Sequence, residues 1–224
     1  MAKAHWIEEK DKKTPNYTVG EEIFNSVSHG VGALLSLAAL ILGVVWASLY
    51  GDGWCIASAI IYGLSLMVLY DMSTFYHAIP NKRAKRVLRI FDHCSIFVLI
   101  AGTYTPYTLV ALRGPLGYGL FAAVWAVTIL GIVLNAISIE RFKVFSMICY
   151  VAMGWIVIFA YAPLKAALPM PGLLLLIAGG VVYTLGLIFF GMKKRYAHSV
   201  WHLFVLTGSI LHFLSVLLYV FPGP

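Results

Sequence analysis

Seven apolar runs, separated by short polar breaks, fill almost all of the chain after residue 22: 23–49, 54–79, 88–111, 116–138, 144–162, 172–191 and 197–220. Each run is long enough to cross a hydrocarbon layer of about 30 Å as a helix rising about 1.5 Å per residue. The breaks carry the chemistry that starts and stops helices. Thr18-x-x-Glu21 is a capping box before the first run. Gly51-Asp52-Gly53, Pro80 with Asn81, and Arg113-Gly114-Pro115 mark turns, Ile139 to Lys143 is a short charged break, and Pro163, Pro169 and Pro171 separate the fifth run from the sixth. The pattern predicts an all-α fold, a seven-transmembrane helix bundle over 23–220, with a polar tail at 1–22 and a short C-terminal tail at 221–224.

Composition and charge turn that pattern into a topology. Of 224 residues, 61% are hydrophobic and 11% charged, well short of the roughly 25% charge of a soluble domain. Lys and Arg number 16, of which 14 fall in the N-terminal tail, at 82–89, at 141–143 and at 193–195; only Arg113 and Lys165 lie on the other side. The bias alternates through all seven runs and predicts a cytoplasmic N-terminus and an extracytoplasmic C-terminus. The net charge of +7 therefore reads as orientation and contact with anionic lipid, and no nucleic-acid partner is expected. No signal peptide is visible, so insertion is expected to use the first, uncleaved span. Cys55, Cys94 and Cys149 lie in or beside apolar segments without disulfide or zinc-knuckle spacing and read as small hydrophobes.

The polar residues inside the runs are few, and they gather at one depth. The second run ends with Ser73 and His77, four apart and so on one helix face. The third enters from the same side with Asp92, and the seventh with His198 and His202, again four apart. Loop cations alone place all five at the cytoplasmic side. Three neutral imidazoles leave a fourth position open, as catalytic zinc sites do. Asp92 is placed to act as general base or to orient a water, and Ser73 to hydrogen-bond the water or a developing oxyanion. The competing reading is that these groups only tie three helices together by hydrogen bonds.

Ser73-x3-His77, Phe91-Asp92-His93 and His198-x3-His202, in this order on seven runs, resemble the three signature motifs of the progestin and adipoQ receptor superfamily. Glu21 to Gly30 and Ala101 to Pro106 resemble its bacterial hemolysin III-like branch. The resemblance covers the chain from about Glu21 onward and implies one Zn²⁺ bound by His77, His198 and His202 near the cytoplasmic face, with Asp92 and Ser73 beside it. It implies a bacterial inner-membrane protein whose partners are membrane lipids, a lipid substrate among them; the oligomeric state is left open. Parts of the superfamily hydrolyse lipid amides, whereas the bacterial branch is named for a hemolytic, pore-forming activity. Two readings follow: a zinc-dependent, ceramidase-like hydrolase, and a non-enzymatic cytolytic or signalling protein in which the zinc is structural.

Other polar residues read differently. His29, one turn after Asn25 at the same end, has two readings, a place behind the metal ligands or a structural hydrogen bond, of which the hydrogen bond is the favoured one. His93, turned about 100° from Asp92, is expected to face a neighbouring helix or the interface. His212 lies about 15 Å beyond His202 along the seventh run and reads as a buried structural histidine. Asp71 is turned about 200° from Ser73 and should not point at the site. Pro106 is expected to bend the third run. Trp46, Tyr50, Trp54, Tyr118, Tyr161 and Tyr219 read as an aromatic belt. His5, in the tail, receives no role.

Overall fold

The structure is a computed structural model and describes residues 15–222; His5, most of the expected N-terminal tail and the last two residues of the C-terminal one lie outside them. The helices in chain order are α1 (Val19–Tyr50), α2 (Gly53–Ala78), α3 (Lys82–Pro106), α4 (Pro115–Trp155), the short α5 (Tyr161–Ala167), α6 (Met170–Gly191) and α7 (Ala197–Ser215). No strand occurs among the described residues.

The starts are chemically specified. The Thr18 hydroxyl accepts the Glu21 N–H at 3.3 Å while the Glu21 carboxylate accepts the Thr18 N–H at 2.8 Å, the reciprocal pairing of a capping box. Asp52 caps α2 by accepting the N–H groups of Trp54 and Cys55, and Asn81 caps α3 by accepting those of Arg83 and Ala84. Gly114, at φ 135°, makes the left-handed turn that delivers Pro115 to the first position of α4.

Six helical stretches are long and apolar enough to cross a membrane, one fewer than the seven runs. Runs four and five merge into a single helical stretch, Pro115–Ala167, because the charged break at 139–143 stays helical. The interruption is one residue, Ser138, whose extended dihedrals (φ −167°, ψ 107°) end the first arm. Its hydroxyl accepts the Arg141 N–H at 3.3 Å, so the same residue caps the second arm. Ser146 donates to Asn135 Oδ1 at 2.8 Å across the break, a pair that a straight helix would hold about 16 Å apart. The two arms lie against one another, and Val124 of the first and Tyr150 and Met153 of the second share one apolar cluster with Phe97 and Ala101 of α3.

α3 is the most enclosed of the six stretches. Gly102 sets its distance from α2, since a Cβ there would lie 2.0 Å from the Ser65 hydroxyl oxygen. Pro106 ends α3 and a π-helical turn, Tyr107–Ala111, follows. Thr103, Thr105 and Thr108 each donate to a carbonyl one turn back, which keeps hydroxyls in this apolar segment satisfied. α7 packs against α6 and also reaches α1, so the last helix meets the first. Leu34, Ile41, Ile129, Phe159 and Ile188 face outward, as lipid-facing side chains do. The expected aromatic belt includes the contacts Trp46–Tyr50 and Trp54–Tyr118, with ring centroids 4.7 and 6.0 Å apart.

Candidate metal centre

His77 projects from the last turn of α2, and His198 and His202 from the first two turns of α7. One ring nitrogen from each falls within 4.8 Å of the others, a group that could hold a metal ion. His198 Nε2 and His202 Nε2 are 3.2 Å apart; tetrahedral zinc with bonds of about 2.05 Å places its ligand nitrogens roughly 3.3 Å apart. His77 Nε2 is buried and has no hydrogen-bond partner, which is costly for a polar atom with nothing to bind. An all-imidazole donor set with these spacings fits Zn²⁺.

The opposite face of each ring fixes its orientation. His77 Nδ1 lies 2.7 Å from Glu22 Oε2, so its proton points to the carboxylate and leaves Nε2 as a lone pair. Asn25 Nδ2, 3.4 Å from the same nitrogen, is the weaker contact by distance and cannot donate to an N–H. His202 Nδ1 donates to the Asn25 carbonyl at 3.2 Å, with the Ser28 hydroxyl 3.3 Å away, which again frees Nε2. The Asn25 side-chain oxygen accepts from Ser199 at 2.7 Å. α1 therefore orients ligands on both other helices. Lys85 Nζ stands 2.5 Å from the second oxygen of Glu22 and balances its charge.

The start of α7 is held by the same helix. Tyr196, at φ 58°, is the one non-glycine with positive φ among the described residues, and its N–H donates to Glu21 Oε1 at 2.8 Å. Gly20 leaves room for its hydroxyl, which a Cβ would approach to 2.9 Å. Tyr17 covers the site from the chain-terminal side, stacked on His198 with centroids 5.0 Å apart. Burial, and then the carboxylates Asp92 and Glu22, push its hydroxyl above the usual phenol range, so it stays neutral.

Ser73 and Asp92, both buried, line one cavity together with His198 and His202. Asp92 Oδ2 is 3.5 Å from His93 Nδ1, within ion-pair range but without hydrogen-bond alignment. His93 packs toward Phe190 of α6 as expected, with centroids 6.3 Å apart. His29 also lines this cavity, lies parallel to His202 at 3.6 Å between centroids, and has no partner on either ring nitrogen. The structural hydrogen bond expected for it does not form, because its ring is held between two other rings, His202 and the edge of Tyr70. Asp71 is half-buried and does not line the cavity.

Sequence reasoning overlooked Glu22, Ser28, Ser199, Lys85 and Tyr17. A signal for α1 was available: Glu21, Asn25, His29, Gly32, Ser36, Ala39, Gly43 and Ala47, spaced three and four apart, form its buried stripe. Polar residues at the head of a stripe of small residues mark a helix face turned to a polar site.

A family model described as haemolysin-III related matches residues 17–213. The chain is 44% identical over 205 residues to Hemolysin-3 of Bacillus cereus, covering 91% of this chain and 94% of that protein. It is 45% identical over 204 residues to a Hemolysin-3 homolog of Bacillus subtilis (strain 168), covering 91% and 96%. Identity to the human monocyte to macrophage differentiation factor is 29% over 219 residues, covering 92% and 87%.

Proposed function

Because the chain belongs to the haemolysin-III-related family, we propose that it is a zinc-dependent membrane hydrolase that cleaves a lipid amide or acyl bond. The observation that carries this reading is that His198 and His202, grouped with His77, line a mostly apolar cavity together with Ser73 and Asp92. A zinc ion held there would polarise the scissile carbonyl and bring the pKa of a bound water toward neutrality. Asp92 takes the proton of the attacking water and returns it to the leaving group. Ser73, whose hydroxyl makes no hydrogen bond among the described residues, donates to the oxygen that gains charge. The apolar walls keep bulk water from the reacting carbonyl and hold the chain attached to it.

This reading includes seven crossings, the arms of α4 counted separately, with the N-terminus cytoplasmic and the C-terminus outside, in the bacterial inner membrane. Two observations support it. The 53-residue stretch Pro115–Ala167 would reach roughly 80 Å as a straight helix, far beyond one bilayer. The loop cations fall 14 to 2 between the two sides.

The test is release of fatty acid from ceramide-like amides by the purified protein, followed by mass spectrometry. Turnover should disappear on chelation and in Asp92→Asn at unchanged metal content. Turnover that survives both would end the zinc-and-Asp92 mechanism, and no turnover by the metal-loaded wild type would end the hydrolase reading.

A second reading, a non-enzymatic membrane-perturbing protein with structural zinc, draws on one observation: Glu22 and Asn25 of α1 are bonded to ligands on α2 and α7, so an ion would clip three helices together. Loss of thermal stability in His202→Ala, with wild type turning over no lipid amide, would favour it.

A further inference from the structure

The cavity that begins at the histidines does not end there. It has a volume of about 110 Å³ and runs past Leu99, Ile100, Thr103 and Val205 to His212. A second cavity of about 160 Å³ continues from His212 toward the other side of the bundle, between Tyr107, Leu164 and Leu176. Six residues line both: Thr103, Tyr104, Gly154, Trp155, Gly180 and His212. Gly154 and Gly180 sit on the second arm of α4 and on α6, and a Cβ built on either would meet open space. Trp155 Nε1, donating to Thr184 at 3.0 Å, bridges the two helices at this point.

His212 is the imidazole at the junction, and its surroundings are shaped to it. It is 5% exposed. Its Nδ1 donates to the Gly208 carbonyl at 2.8 Å, which places the proton there and leaves Nε2 as an acceptor. Nε2 has no hydrogen-bond partner among the described residues, and His212 lines both cavities. Tyr183 stacks on the ring at 5.2 Å between centroids and donates or accepts at Ser209, 2.8 Å away. Glycines clear the space: a Cβ on Gly179 would stand 2.4 Å from the imidazole, and one on Gly208 2.7 Å from the Tyr183 ring. An open acceptor at this depth, fixed in one tautomer inside apolar walls, needs a donor from whatever fills the channel.

We propose that His212 is a second polar station of the channel and accepts a hydrogen bond from a hydroxyl carried partway along a lipid chain whose head group lies at His77, His198 and His202. The ten residues from His202 to His212 set the two stations about 15 Å apart. A fully extended chain advances roughly 1.2 Å per bond, which places the matching hydroxyl about twelve bonds from the head group. The binding claim rests on the channel alone and holds whether or not an amide is cleaved.

The test is binding of stearate, 12-hydroxystearate and 6-hydroxystearate to the full-length protein in nanodiscs. None of the three carries a scissile bond, so the outcome is separate from that of the hydrolase assay. Wild type should bind 12-hydroxystearate about three- to tenfold more tightly than stearate, the range of one hydrogen bond, with no such gain for the 6-isomer. His212→Phe should bind stearate as wild type does and lose the preference, and Gly180→Leu should weaken all three by filling the channel. Equal binding of the three fatty acids by wild type would overturn the proposal even if His212→Phe failed to fold, and so would a preference that persists in a folded His212→Phe.

Discussion

Glu22 and His77 stand 2.7 Å apart, a carboxylate of the first helix on the ring nitrogen of the second that faces away from the candidate ion. The pairing sets the tautomer and rotation of His77 and makes its free nitrogen a stronger base. Lys85 shares the carboxylate from α3, so one acidic residue links three helices at the mouth of the site.

Replacing Glu22 with Gln keeps the shape and removes the charge. Zinc affinity, measured by competition with a chromophoric chelator, should fall about ten- to hundredfold with the fold intact by circular dichroism. Wild-type affinity in this variant would show that the carboxylate serves packing alone.

The approach of α2 and α3 depends on Gly102. Gly102→Ala forces a methyl group against Ser65 and should cost about 1–3 kcal/mol by overpacking. Ser65→Gly in the same chain should return part of that loss, giving a double variant more stable than the sum of the single ones. Simple additivity in thermal unfolding would contradict the contact.

Ser138 closes one arm of α4 and opens the other with a single hydroxyl. Ser138→Ala removes the cap, costing about 1 kcal/mol, and should lower the unfolding midpoint by about 2–4 °C in a chain of this size. Ser138→Asp should retain the wild-type midpoint, since aspartate caps equally well. A midpoint unmoved in Ser138→Ala would remove the cap from the account.

At the end of the bundle away from His77, Arg113 pairs with Asp52 at 2.7 Å. The hydrogen bond from Arg113 comes first among the causes that hold the Asp52 carboxyl well below its usual range, followed by the backbone N–H of Cys55. A pKa depressed on folding stabilises the native state above the ordinary aspartate value, and that contribution is lost as pH falls through the lower native value. Unfolding midpoints should therefore carry a component that is constant from pH 5 to pH 8 and declines in acid below about pH 4. Asp52→Asn keeps the helix cap and should abolish that acid-side component. Because the pair is exposed, the effect should be small and should shrink with salt. An acid-side slope of equal size in Asp52→Asn would assign it to other carboxylates.

The sequence made the helical character and the convergence of His77, Ser73, Asp92, His198 and His202 legible. Loop cations and helical rise predict a shared end and depth, and depth was enough to bring together residues more than a hundred positions apart. It hid the contacts that depend on rotation about the helix axes. Glu22 reads as a favourable charge at a helix N-terminus until α2 is placed beside it. His29 reads as a hydrogen-bonding group until its ring is seen flat against His202. The join between runs four and five hides for a different reason: Ile139 to Lys143 has the charge of a loop, yet a helix end and a helix start can share one serine. His212 reads as remote from His202 by helical rise, but distance along a helix carries no information about empty space between two residues.

The left-handed turn at Tyr196 has a consequence for the order of assembly. Its N–H is held by Glu21, 175 positions earlier, so the angle at which His198 and His202 enter depends on the first helix having met the last. Contacts of such separation form late, after the entropy of closing the intervening chain has been met. The candidate ion site is thus built from both ends of the bundle, and an ion held there would act as a clasp between them. Metal loading would report that the whole bundle has closed, and neither half of a chain severed at the α4 break contains all three histidines.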